Sequence, residues 1–220
     1  MPLQAVLFDL DGTLVDSNDY HVAAWEAAFR DAGHAIPAER IREQIGKGGD
    51  NLVPALLPDL DEDAVEALGK AEGEIFRARY IDRVRPFPGA HDLIARVAKA
   101  GLKAVLASSA GSADIEHYTK LLEAEDLIAL STGKDDVEHS KPDPDIFGAA
   151  LKKAGVPASD CLVIGDTPYD VQAASACGIA TVGLLSGGFS EDALRGAGAI
   201  AIYPDVAALL AEYESSPLAR

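Results

Sequence analysis

The stretch Ala5-Val6-Leu7-Phe8-Asp9-Leu10-Asp11-Gly12-Thr13 decides the fold of this chain. Its first four residues are apolar without interruption, which is typical of a strand buried on both faces of a parallel sheet. The apolar run stops at a turn that carries two aspartates. Because ligands of open α/β sheets bind beyond the carboxyl ends of the strands, the same stretch predicts a central strand and the beginning of a functional site.

Further strands and helices alternate along most of the chain. Apolar runs predict strands at residues 102–107, 161–164 and 180–184, and more weakly at 199–202. Periodic or glycine-terminated segments predict helices at residues 89–100, 143–154, 168–177 and 205–214. This alternation predicts an α/β fold with a central parallel sheet flanked by helices. We expect the last six residues, 215–220, to be frayed.

Residues 17–83 break the alternation, because they show helical periodicity and no strand pattern. We therefore predict a helical insertion over the carboxyl end of the first strand. On this interpretation residues 1–16 and 84–220 form the core domain, and residues 17–83 form a second, helical domain.

The charge of the chain restricts its partners. Its 220 residues include 19 lysines and arginines against 36 aspartates and glutamates, which gives a formal net charge of -17. Such an acidic chain lacks the electrostatic footprint that binds nucleic acid or an anionic membrane surface. No apolar run approaches the ~20 residues that span a bilayer, and the start of the chain lacks the basic region of a secretory signal. We expect a cytoplasmic protein without a nucleic-acid, membrane or obligate protein partner.

Polar side chains follow the predicted strands where these strands end. They are Asp9, Asp11 and Thr13, then Ser108 and Ser109, then Lys141 before a helix, and finally Asp166 and Asp170. The carboxylates of Asp9, Asp11 and Asp166 at one sheet edge repel one another unless a cation lies among them, and such an oxygen-rich site suits Mg²⁺. The ionised Asp9 would then be the nucleophile and Asp11 the acid or base. Lys141 and Ser108 would hold a transferring phosphoryl group.

Each of these residues also has a structural interpretation. Asp-Gly-Thr is an ordinary turn sequence, and Ser108 or Asp166 could be a helix N-cap. Lys141 could be a solvated loop lysine, and Asp170 could simply favour a helix N-terminus. These interpretations must all coincide at matching strand ends, so we prefer the functional one.

Four motifs resemble those of the haloacid dehalogenase-like hydrolase superfamily, in its phosphatase branch with a helical cap. They are Asp9-Leu10-Asp11-Gly12-Thr13, Ser108, Ser140-Lys141-Pro142-Asp143-Pro144 and Gly165-Asp166-Thr167-Pro168-Tyr169-Asp170. The resemblance implies a Rossmann-like core, an inserted α-helical cap domain and Mg²⁺-dependent phosphoryl transfer through an aspartyl-phosphate on Asp9. It implies that Asp11 protonates the leaving oxygen and then activates water.

The resemblance also implies a ligand set for the metal. The side chains of Asp9 and Asp166 and the main-chain carbonyl of Asp11 would bind it, and Asp170 would orient this shell through water. The linkers Val15–Asn18 and Val84–Pro88 would let the cap open for exchange and close during transfer.

Substrate choice is expected to lie in the cap. Lys47, between glycines of a cap loop, could pair with a second anion of the substrate, or it could be a surface lysine of a flexible turn. His21 could contact the substrate or help Asp11, or it could be a hydrogen-bonded hinge residue. Thr13 and Ser109 are further candidate substrate contacts.

The predicted function is a phosphatase of a small phosphorylated metabolite, a sugar phosphate or a phosphoglycolate-like compound. The alternative is a β-phosphoglucomutase-like sugar-phosphate mutase, because Asp16 to Trp25 resembles the segment that enters the cap of those enzymes. Against it, Gly165-Asp166 replaces the usual Glu-Asp pair, and the loop Ile45–Asp50 lacks an arginine for a second phosphate. A phospho-acceptor receiver has the wrong motif order, and a non-catalytic regulator leaves the intact motifs unexplained.

Overall fold

The central element is a six-stranded parallel sheet with the order β5-β4-β1-β6-β7-β8. The structure is a computed structural model that describes residues 2–219; Met1 and Arg220, the outer ends of the predicted core segments, lie outside it. The strands of this sheet are β1 Ala5–Phe8, β4 Lys103–Ala107, β5 Ile128–Thr132, β6 Cys161–Gly165, β7 Ala180–Leu184 and β8 Ala201–Tyr203. A small antiparallel sheet pairs β2 Val15–Asp16 with β3 Arg85–Pro86.

Ten α-helices cover the sheet and form the insertion within the described residues. The helices of the insertion are α1 Asn18–Asp31, α2 Ala38–Arg42, α3 Gly49–Leu56 and α4 Glu62–Arg79. The helices around the sheet are α5 Ala90–Lys99, α6 Ser112–Leu121, α7 Asp145–Ala154, α8 Pro168–Ala176, α9 Glu191–Ala197 and α10 Val206–Ala211. No helix among residues 2–219 is long and apolar enough to cross a membrane.

The alternation of side chains along β1 builds the two layers of the core. Val6 and Phe8 belong to one apolar cluster, which α5, α6 and α10 complete. Ala5 and Leu7 face the opposite way, into a second cluster with α7 and α8. Because every residue of β1 is fully buried, this strand lies at the centre of the sheet and presents its carboxyl end to the site.

The insertion has an apolar cluster of its own, built mainly from α1 to α4. Its buried members include Trp25, Phe29, Ile41, Leu52 and Leu68. The two crossings between the insertion and the sheet run side by side, because Val15 pairs with Pro86 and Asp16 with Arg85. The α/β class with an inserted helical cap is thus confirmed, whereas the domain limits at residues 16/17 and 83/84 stay a prediction.

The C-terminal tail differs from the frayed segment that the sequence predicts. Residues 213–215 and 217–219 form short 3₁₀ turns, and Leu218 and Ser216 are buried. Leu218 belongs to the same apolar cluster as α5 and α10, so burial of its side chain orders the tail up to residue 219.

Candidate active site

Lys141 lies at the centre of the site, between two carboxylates. Its ammonium donates to Asp9 Oδ1 at 2.6 Å and lies 2.7 Å from Asp170 Oδ1. The side chains of Lys141 and Asp170 are 1% exposed and that of Asp9 is 7% exposed. The structure therefore excludes the solvated loop lysine and makes Lys141 a buried cation that holds the end of β1 against the start of α8.

Asp166, at the end of β6, is held by residues from the other side of the site. Thr13 Oγ1 donates to Asp166 Oδ1 at 2.8 Å, and Asn18 Nδ2 donates to Oδ2 at 3.2 Å. Gly12 lies directly beside it, since a Cβ atom there would stand 2.3 Å from Asp166 Oδ2. Thr13 is fully buried, and the structure does not bring it to the cavity as a substrate contact. We assign its hydroxyl to positioning Asp166 instead.

Asp9, Asp166 and Asp170 form a cluster that fits a metal ion. One carboxylate oxygen from each lies within 4.8 Å of the others, and all three residues are buried. Burial raises the pKa of Asp9 to about 7, with Asp170 and Asp11 adding to the rise and Lys141 opposing it. Burial, with Asp170 and Asp9 nearby, also raises the pKa of Asp166 well above its usual range. One ammonium does not offset this much buried negative charge, so the donor set suits a divalent cation.

Asp170 combines two contacts at the start of α8. Its Oδ2 accepts from the main-chain N–H of Thr167 at 3.0 Å, and its own main-chain N–H donates to Thr167 Oγ1 at 3.1 Å, which together form a capping box. Its other oxygen pairs with Lys141. Asp170 thus has the N-terminal helix role that the sequence allowed and a direct contact to the buried cation as well.

Asp11 turns its side chain away from the cluster, toward the helical insertion. Its Oδ1 accepts from Ser17 Oγ at 2.5 Å and lies 3.3 Å from His21 Nε2. The opposite ring nitrogen, His21 Nδ1, lies 2.9 Å from Glu72 Oε1 on α4. The imidazole stacks on Phe76 with ring centres 3.9 Å apart, so its plane is fixed.

The two carboxylates decide the charge of His21. Because ionised carboxylates only accept hydrogen bonds, the ring satisfies both contacts only as a doubly protonated cation. Burial acts to lower the pKa of His21, but Asp11 and Glu72 outweigh it and raise that pKa to about 10. Burial likewise acts to raise the pKa of Asp11, but His21 and Ser17 outweigh it, and that pKa is lowered. Asp11 is therefore an ionised carboxylate beside a proton donor.

Ser108 and Ser109 follow β4 at the floor of the site. Ser108 Oγ accepts from the main-chain N–H of Ala110 at 3.1 Å, so the serine turns the chain and keeps its own O–H available. Ser109 Oγ is buried and has no hydrogen-bond partner among the described residues. Both serines line the cavity described next, where they are available to an anion.

A cavity of about 1040 Å³ separates the insertion from the sheet edge. The predicted residues that line it are Asp9, Asp11, His21, Lys47, Ser108 and Ser109. Lys47 is half-buried; its ammonium donates to Gln44 Oε1 at 2.6 Å and stands 4.6 Å from the ring centre of Tyr169. Burial lowers the pKa of Lys47. Lys141, Asp166, Asp170 and Thr13 lie beneath the cavity, where they hold its floor.

Sequence reasoning missed two residues of this site. Glu72 is one of several acidic residues along α4, and only its place four positions before Phe76 puts it on the inner face of that helix. Asn18 is the last residue of the predicted linker Val15–Asn18, and its contact with Asp166 joins residues 148 positions apart. No local pattern signals either contact.

Comparison with known proteins identifies the class of protein that this fold and this site represent. A family model described as haloacid dehalogenase-like hydrolase matches residues 3–178. A phosphoglycolate phosphatase of Pseudomonas syringae pv. syringae (strain B728a) is 32% identical over 188 residues, which cover 83% of this chain and 69% of that protein. The chain therefore belongs to the haloacid dehalogenase-like hydrolase family, and the predicted enzyme class, a hydrolase acting on phosphoric esters, is confirmed.

Solved structures repeat the architecture over nearly the whole chain. A hydrolase from Pseudomonas syringae superposes with a TM-score of 0.90 at 35% identity and covers 96% of this chain and 98% of its own. β-Phosphoglucomutase from Clostridium difficile superposes with a TM-score of 0.83 at 21% identity, over 97% of this chain and 96% of its own. The second likeness concerns the fold alone.

Proposed function

We propose that this protein is a Mg²⁺-dependent phosphatase that hydrolyses a small phosphorylated metabolite, with phosphoglycolate the first candidate, through an aspartyl-phosphate on Asp9. The observation that carries the proposal is the Lys141 ammonium, buried between Asp9 and Asp170 at 2.6 Å and 2.7 Å. Phosphoglycolate is the first candidate because curated relatives such as the Pseudomonas syringae protein are named as phosphatases of that compound.

Asp9 and Asp166, with the main-chain carbonyl of Asp11, would hold Mg²⁺, and Asp170 would support this shell. Bound there, the ion supplies positive charge that keeps Asp9 ionised and neutralises the phosphoryl oxygens. Lys141 keeps the attacking carboxylate in place. Ser108, with neighbouring main-chain N–H groups, donates to the phosphoryl oxygens.

Transfer then takes place in two steps at phosphorus. An oxygen of Asp9 forms a bond to phosphorus while the ester P–O bond breaks, and the leaving oxygen takes a proton from the Asp11–His21 pair. In the second step Asp11 accepts a proton from water, and the resulting hydroxide attacks the phosphoryl group. The P–O bond to Asp9 breaks, which releases inorganic phosphate and restores the carboxylate.

A direct assay tests this proposal. The purified chain should release phosphate from p-nitrophenyl phosphate and from phosphoglycolate with Mg²⁺, and release should cease with EDTA. Asp9→Asn should abolish turnover, while Asp63→Asn, a matched change at an exposed position of α4, should leave it unchanged. Turnover that survives in Asp9→Asn would refute the nucleophile.

The same preparation separates hydrolase from mutase. Incubation with glucose 1-phosphate should give inorganic phosphate and no glucose 6-phosphate. Accumulation of glucose 6-phosphate would overturn the phosphatase in favour of the sugar-phosphate mutase.

A further inference from the structure

The segment Glu43–Asn51, here called the cap loop, joins the insertion to the site. It runs from the end of α2 into the first turn of α3. It meets the core at two places. The Tyr169 hydroxyl donates to the main-chain carbonyl of Glu43 at 2.5 Å, and the start of α3 meets the residue before Lys141.

Two side chains of the cap loop bind both polar groups of the Ser140 main chain. The N–H of Ser140 donates to Asp50 Oδ2 at 2.8 Å, and its carbonyl accepts from Asn51 Nδ2 at 2.8 Å. The same Asn51 amide lies 3.1 Å from Asp143 Oδ2 and donates to it. The insertion thus holds the chain on both sides of Lys141.

Close approach at this contact requires glycine in the cap loop. A Cβ atom on Gly48 would stand 2.1 Å from Ser140 Oγ and 2.4 Å from Ser140 Cβ. Ser140 itself is buried, so it has no room to withdraw. The cap loop is therefore shaped to this segment of the core.

We propose that Asn51, assisted by Asp50, is a positioning residue, which sets Lys141 between Asp9 and Asp170 when the cap loop lies on the core. Lys141 follows Ser140 directly, and its ammonium occupies a fully buried position that a small rotation of the Ser140–Lys141 main chain would displace. Asn51 makes the stronger contribution, because Asp50 is exposed and its hydrogen bond competes with water. Contact of the cap loop with the core therefore also places the Lys141 ammonium between Asp9 and Asp170.

The experiment combines steady-state kinetics with hydrogen exchange on the full chain. Asn51→Asp keeps the shape but replaces the donor by a carboxylate that faces the Ser140 carbonyl and Asp143. We expect kcat for p-nitrophenyl phosphate to fall about tenfold to a hundredfold, because misplacement of a reacting group by about 1 Å has that effect. We expect KM to change much less. Hydrogen exchange of residues 137–143, measured without metal or substrate, should be faster than in the wild type.

Two further variants separate positioning from damage to the fold. Asp50→Asn retains an acceptor for the Ser140 N–H and should keep kcat near that of the wild type, whereas Asp50→Ala should lower kcat and speed exchange. Asp63→Ala removes an exposed carboxylate of α4 and should change neither measurement.

The results decide between clear outcomes. A lower kcat with unchanged exchange, or faster exchange with unchanged kcat, would overturn the positioning role. The kinetic arm rests on the proposed phosphatase activity; the exchange arm does not. A wild-type chain without phosphatase activity refutes the proposed function, while unaltered exchange in Asn51→Asp refutes the hold on Ser140 in either case.

Discussion

Removal of divalent metal should leave a protein whose stability falls as the pH rises, and Asp9→Asn should abolish much of that fall. The reason is the buried carboxylate cluster. Burial raises the pKa of Asp9 from its ordinary value of 3.8 to about 7, so the folded state without metal holds this proton more tightly than the unfolded chain does. Below pH 4 the carboxyl is protonated in both states. Between pH 4 and pH 7 the unfolded chain loses its proton first, so folding becomes less favourable as the pH rises.

The interval from 3.8 to about 7 corresponds to about 4 kcal/mol in the free energy of unfolding. Asn resembles the protonated carboxyl in shape and charge. Without metal, Asp9→Asn should therefore be as stable as the wild type near pH 4 and more stable by up to about 4 kcal/mol at pH 8. Asp166 is retained in both proteins, but the Asp9 charge helps to raise its pKa, so Asp9→Asn also makes ionisation of Asp166 easier and acts in the same direction.

Urea unfolding in EDTA at several pH values between 4 and 8 measures this difference. Adding excess Mg²⁺ at pH 8 should raise the stability of the wild type more than that of Asp9→Asn. Asp63→Asn serves as the matched control and should follow the wild type throughout. Equal stability of the wild type and Asp9→Asn at pH 8 in EDTA would show that the ionised Asp9 does not destabilise the folded protein. The argument for a cation in the carboxylate cluster would then fail.

Two other changes test the surroundings of the site. Glu72→Gln should lower kcat about tenfold, because His21 loses one of the two negative charges that keep it protonated beside Asp11, while Glu74→Gln on the exposed side of the same helix should match the wild type. Equal kcat in both variants would remove Glu72 from the mechanism. Gly12→Ala should lower the melting temperature and weaken metal binding, because its Cβ would stand 2.3 Å from Asp166 Oδ2 at a φ of +77°. Gly33→Ala has a φ of +87° with open space around it; it should destabilise the fold but leave metal affinity unchanged, and an equal loss of affinity would contradict the steric argument.

Apolar runs in the sequence predict the strands of the sheet well where these strands are buried on both faces. β1, β6 and β7 lie where their apolar runs predict them, within one residue at either end. β5 was not predicted, because its first four residues alternate between partly exposed and exposed positions and it ends in the polar residues Ser131 and Thr132, so its sequence resembles a loop. α6 and α9 were also not predicted, since few apolar residues mark their inner faces. Edge elements bury less surface and leave a weaker periodic signal.

The residues of the site likewise fall into those that the sequence predicts and those that it does not. The sequence brings Asp9, Lys141 and Asp166 to one sheet edge, because parallel strands deliver their carboxyl ends together. The contact of Asn51 with the core depends on how the helical insertion lies over the sheet, and that of Glu72 with His21 depends on how α4 packs on α1. Pairs separated by 89 and 51 positions leave no trace in a single sequence.

The antiparallel pairing of Val15 with Pro86 and of Asp16 with Arg85 has a consequence for engineering. The polypeptide leaves the sheet and comes back through neighbouring positions, so a brief turn could bridge the gap without rerouting any strand. The four helices α1 to α4 therefore form an insertion that could be exchanged as one unit between β2 and β3. A grafted piece of a relative should change substrate preference and retain turnover only if it supplies equivalents of Asn18, His21 and Asn51, because these residues contact Asp166, Asp11 and the Ser140 main chain.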